Sequence, residues 1–135
     1  MSKQKISAVD RQALWLAHNK KCAYSGELID LRNIQIDHII PERIEKDSEE
    51  YRSLATQLQL SDDFEITGFE NLLPCSPSYN LQKKGLVFDN PRIHFFLSIA
   101  ASKKKEVEKN IQRIKAQLDQ GKAAILLQSL LETKN

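Results

Sequence analysis

The sequence predicts an α+β domain: a small pair of strands flanked by helices, with a mainly helical C-terminal part. Three observations predict it. Two short apolar runs, residues 36–41 (IDHIIP) and 70–75 (ENLLPC), are too short for helices and rich in Ile and Leu. Helix-period patterns precede, separate and follow them. Ser, Asn, Pro and Gly punctuate the boundaries with helix start and stop signals.

A first helix is expected from Ser7. Ser7 and Asp10 have capping-box spacing, and Val9, Ala13, Leu16 and Ala17 share one face; the lysines at 20–21 mark its end. Residues 22–41 read as turn and strand. Residues 47–60 predict a short amphipathic helix that buries Tyr51, Leu54, Ala55 and Leu58. Gly68 breaks the chain before the second strand. Ser76 with Pro77 predicts a cap and first residue of a helix that Gly85 would end. Asn90 with Pro91 repeats that grammar, and helix is expected from there toward Gln120. Gly121 is expected to stop it, leaving residues 122–132 as a last apolar helix. The predicted division is residues 1–90, with a core at 22–88, and a helical extension at 91–135 that packs on the core or docks a partner.

Bulk properties exclude some classes. No apolar stretch approaches the roughly 18 residues that span a bilayer, and the N-terminus is polar, so the reading is cytoplasmic. The net charge of +2 conceals an uneven distribution. Residues 1–41 carry six bases and four acids, 42–70 three bases and nine acids, and 71–135 eleven bases and five acids. The basic C-terminal part suits a polyanion, although charge alone more often marks a solvated helix face. The acidic middle segment is expected either to face away from such a partner or to gate access to it.

Four polar residues stand out because their neighbours are apolar. Asp37 and His38 interrupt a run of isoleucines, Asn71 opens the second strand, and Asn80 lies in the helix after it. Burying such groups is costly unless they meet a metal or one another. Lys83 and Lys84 follow one turn later.

These blocks resemble the HNH nucleases, the ββα-metal or His-Me finger fold. IDHIIP is similar to their first block, ENLLPCSPSYN to the middle and last, and NLQKKG to the trailing N-x-x-K-G; CAYSGELIDL is similar to the approach strand. The likeness covers residues 20–88 and is closest to the HNH domain of RNA-guided CRISPR effectors. It implies that Asp37 and Asn80 hold one Mg²⁺ or Mn²⁺, that His38 is the general base, and that Asn71 orients His38 and braces its loop. Lys83, with Lys84 beside it, would meet a phosphate. Oxygen donors suit a hard divalent cation.

Many HNH proteins also carry a structural zinc on two C-x-x-C pairs. Here Ser25 replaces one thiolate and Cys75 is out of step, so no structural zinc is expected. Cys22 and Cys75 then read as small buried residues. The resemblance implies a DNA endonuclease acting on double-stranded DNA, in genome defence, restriction or mobile-element biology. The competing expectation is a nucleic-acid-binding or effector subunit, inactive until a partner or sensor triggers it. The C-terminal helices would then dock that protein, or a second copy of the chain. His18 and His94 are expected on a helix surface or in packing, and Glu42 on the surface.

Overall fold

The computed structural model describes residues 4–79 and 88–132. It is mixed helix and sheet, with one antiparallel strand pair and a long C-terminal helix. Helix α1 spans Ala8–Ala17, strand β1 Gln35–His38, helix α2 Glu49–Leu58, strand β2 Leu72–Cys75 and helix α3 Asn90–Glu132. Single 3-10 turns precede each strand, at Leu31–Asn33 and Phe69–Asn71.

The caps explain most boundaries. Ser7 Oγ accepts the Asp10 N–H and starts α1; Ser48 Oγ accepts the Tyr51 N–H and starts α2. Residues 77–79 are helical, and Ser76 Oγ accepts the Tyr79 N–H, as the Ser-Pro signal predicts. At α3 the cap lies one residue earlier than the sequence suggests. Asp89 Oδ1 accepts the Arg92 N–H, while the Asn90 amide turns away to donate to Gln57 Oε1. A carboxylate gains more than an amide from the positive end of a helix, which favours Asp89.

The expected break at Gly121 is absent. α3 runs unbroken through Gly121 to Glu132. One glycine costs a helix only about 1 kcal/mol, and the run of Ala, Ile and Leu after Lys122 is strongly helix-forming. Lys103, Lys104 and Lys105 likewise lie inside this helix rather than at a join.

β1 and β2 pair with Asp37 opposite Leu73 and His38 opposite Leu72. Successive residues of a strand point to opposite faces, so this register gives the ribbon two unlike sides. Leu72 and Ile36 face one cluster, with Ala13, Leu14 and Ala17 of α1 and Val107 and Ile114 of α3. Leu73 belongs to another, with Ile39, Ile40 and Ile44 after β1, Tyr51 of α2, and Ile93 and Ala100 of α3. The stretch of α3 up to Ile114 thus contributes to both sides of the core. Tyr51, Leu54, Ala55 and Leu58 of α2 pack on the second cluster, the face that periodicity predicts.

Cys22 and Cys75 are buried free thiols in a third cluster with Ile29 and Ile34. A tight hairpin delivers Cys22 there. Cys22 N–H bonds Glu27 O, and Gly26 turns the chain at φ +76°, a left-handed value that favours glycine. The hairpin lies along β2, where the Ala23 N–H donates to Pro74 O over 2.9 Å. Proline has no N–H to donate, but its carbonyl is available on the outer edge of β2.

Candidate functional site

The site is built on β1 and on the loop that leaves it. Asn71 fixes that loop from the opposite strand. Its side chain is fully buried, and its amide makes three hydrogen bonds. Oδ1 accepts the Ile40 N–H at 2.8 Å, and Nδ2 donates to Ile40 O at 3.0 Å and to Ile66 O at 2.7 Å. The backbone adds a fourth link, from Ile39 N–H to Asn71 O. A buried amide satisfied this fully can only be replaced by leaving backbone groups unpaired. Asn71 reaches His38 through the loop backbone, with no direct bond to the ring.

Asp37 points to the Leu73 side. The Tyr24 hydroxyl, at the hairpin tip beside Cys22, donates to Asp37 Oδ2 at 2.6 Å. Tyr24 is held in turn by other rings. It stacks on Tyr79 at 4.8 Å and 15°, and meets Phe96 edge-on at 4.8 Å. Phe88 closes the group against both Tyr24 and Phe96. Burial, and then the negative charge of Asp37, push the Tyr24 hydroxyl far above its ordinary pKa, so it remains a donor.

His38 points to the Leu72 side, and it is buried. Its Nδ1 lies 3.6 Å from Glu42 Oε1, one helical-turn spacing further along the chain. Its Nε2 lies 2.7 Å from Gln4 Oε1. Gln4 is itself clasped: its backbone N–H donates to Glu42 Oε2 at 2.8 Å and its Nε2 to Thr67 O at 3.0 Å. One glutamine from the N-terminal segment therefore ties together the histidine, the glutamate and the loop before Phe69. An adjoining cleft is lined by Gln4, Glu42, Glu45, Lys46 and Glu65, three of them carboxylates.

Comparison with family models, curated proteins and solved structures returned no match.

The structure thus joins Asp37, His38 and Asn71 through one strand pair. Asn80, Lys83 and Lys84 lie outside the described residues. Among the described residues, no group of three or more His, Cys, Asp or Glu side chains converges as a metal site. Glu42, expected on the surface, is instead partly buried beside His38; its i+4 spacing across the Pro41 turn was the available signal. Tyr24 was legible only as part of the CAYSGELI run. Nothing in the polar N-terminal sequence marks Gln4, which reaches the site from 34 residues away. His94 is exposed on α3, whereas His18 is buried at the end of α1.

The acidic segment is partly neutralised. Lys46 pairs with Glu65 at 3.0 Å, Lys104 with Glu70 at 3.3 Å and Arg43 with Glu50 at 3.6 Å. No helix among the described residues is long and apolar enough to cross a membrane.

Proposed function

We propose that the chain is an HNH-type endonuclease that hydrolyses phosphodiester bonds of double-stranded DNA with one Mg²⁺ or Mn²⁺. The observation that carries this reading is the joint placement of Asp37, His38 and Asn71. A carboxylate and an imidazole occupy adjacent positions on β1, and a buried asparagine from the start of β2 pins the loop behind them. On this reading β1, β2 and the helix that begins at Pro77 are the ββα unit.

The donor chemistry fits the cation. Asp37 would offer a carboxylate oxygen and Asn80 an amide oxygen, both hard donors. When bound, the cation supplies positive charge to the scissile phosphate and its leaving oxygen. Tyr24 fixes the Asp37 carboxylate by holding Oδ2. His38 takes a proton from the attacking water. Beside the Gln4 Oε1 acceptor Nε2 carries a proton and donates it; Glu42 next to Nδ1 favours moving the proton there, which would free the Nε2 lone pair for the attacking water. Gln4 Oε1 occupies the place on Nε2 where that water would stand, so the glutamine must swing aside during the reaction. Lys83 and Lys84 would meet the DNA backbone, whose contacts position without reading sequence.

A panel of supercoiled plasmid, linear duplex, single-stranded DNA and RNA, each with Mg²⁺, Mn²⁺ and Zn²⁺, tests this. The expected result is cleavage of duplex DNA with Mg²⁺ or Mn²⁺, leaving 5′-phosphate ends. No cleavage of any substrate with any metal would overturn it. A binding or effector subunit is the second reading, and the exposed apolar end of α3 favours it. In that case DNA is retained without being cut.

A further inference from the structure

α3 changes character at its midpoint. Up to Ile114 it buries Ile93, Ala100, Val107 and Asn110 against the core. From Lys115 to Glu132 every residue is exposed. This half nevertheless carries Leu118, Ile125, Leu126, Leu127, Leu130 and Leu131, all at least half exposed. An isolated helix of this length is marginal in water, and this much exposed apolar surface marks a protein contact.

We infer that residues 115–132 of α3 pair with the same residues of a second copy, antiparallel, in a two-fold dimer centred between Ala123 and Ala124. Charge is the first reason. The segment contains two bases, Lys115 and Lys122, and two acids, Asp119 and Glu132, so it is neutral and self-compatible. A parallel pair would set each of these charges beside its own copy. The antiparallel pair keeps Lys115, Asp119 and Glu132 far from their own copies, and Lys122, which stays near its copy along the axis, lies off the seam.

Side-chain size is the second reason. Ala116, Gln120, Ala123, Leu127 and Leu131 lie within one arc of the helix at 3.6 residues per turn. About the proposed centre, Leu131 comes level with Ala116, Leu127 with Gln120, and Ala123 with Ala124. Large side chains meet smaller ones along the seam, and two alanines allow close approach at the crossing. The contact area is the third reason. The segment extends about 27 Å, and pairing it buries on the order of 1,000–1,200 Å² in total, the low end for a specific interface. The dimer is therefore expected to have a dissociation constant in the micromolar range.

This inference does not depend on the nuclease reading, and its test does not use cleavage. Sedimentation velocity of the full chain from about 1 to 100 µM should show a concentration-dependent monomer–dimer equilibrium. Leu127→Glu with Leu131→Glu should shift it at least 10-fold toward monomer with unchanged helical circular dichroism. Single cysteines then fix the direction. Under mild oxidation Ala123→Cys should cross-link to its own copy, and Lys115→Cys should not; the native Cys22 and Cys75 are buried. A chain that stays monomeric at 100 µM, or one that cross-links through Lys115→Cys, overturns the proposal. A dimer unaffected by the two glutamates overturns it equally.

Discussion

The two faces of the β1–β2 ribbon hold their polar residues by different means. On the Leu73 face, one carboxylate is gripped by one hydroxyl, and the grip depends on ring packing: Tyr24 between Tyr79, Phe88 and Phe96. On the Leu72 face, His38 sits in a polar clasp made by Glu42 and by Gln4. Packing of large rings is stiff, because dense interiors leave little room for rotamer change. A clasp closed by one terminal glutamine can open by rotating one side chain. The difference suits the two roles proposed. A cation ligand gains from a fixed position, while a general base must exchange a protein contact for a water.

The largest effects are expected at Asp37 and His38 themselves. His38→Ala and Asp37→Ala are each expected to reduce cleavage by about 10²- to 10⁴-fold, measured on linear duplex with Mn²⁺. Near-normal turnover by either variant would remove that residue from the mechanism.

The brace common to both faces comes next. Asn71→Ala deletes an amide that satisfies three backbone groups and leaves them buried without partners. The expected loss is about 3 kcal/mol by urea unfolding. A loss under 0.5 kcal/mol would mean that the loop is held by other contacts.

Acid should loosen the Leu72 face first. His18 ends α1, which packs there. Burial, and then the charge of Lys103, lower its pKa from 6.5 to about 4. Among the described residues its Nε2 has no hydrogen-bond partner, so none of them rewards a second proton. Between those two values the unfolded chain binds the proton and the folded chain does not. Stability is therefore complete above about pH 6.5 and falls as pH drops toward 4, by on the order of 3 kcal/mol. His18→Leu should flatten that part of the stability–pH curve; an unchanged slope would assign the acid sensitivity elsewhere.

Smaller effects sharpen the contrast between clasp and ring packing. Gln4→Ala should open His38 Nε2 and raise the cleavage rate by about 3- to 10-fold, with little change in KM. A slower enzyme would make Gln4 a positioning residue instead. Tyr24→Phe keeps the ring stack and deletes only the hydrogen bond to Asp37. It should weaken Mn²⁺ affinity by about 3- to 10-fold while leaving the fold intact, as circular dichroism would show.

Local sequence signals located the first two helices and the strand pair and were insufficient for the clasp. Ser7 and Ser48 cap the helices that follow them because capping is a local bond between residues three apart. The period of α2 named its buried face, because one helix presents one stripe to one core. Polar residues set among isoleucines flagged Asp37 and His38. Gln4 could not be found this way: its contacts with His38, Glu42 and Thr67 are all made across 34 residues or more. Tyr24 similarly reaches Asp37 only because the hairpin folds back along β2. Gly121 misled for the opposite reason, since a local breaker signal was outweighed by helix-forming residues on both sides.

Asp37 as a cation ligand and His38 as the base beside it are the two central roles proposed. Calorimetric titration of Mn²⁺ into the wild type, His38→Ala and Asp37→Ala separates those roles most directly. The wild type should bind one Mn²⁺ per chain, His38→Ala should bind it with similar affinity, and Asp37→Ala should bind it at least 10-fold more weakly. No binding by the wild type, or equal affinity in Asp37→Ala, would contradict the account.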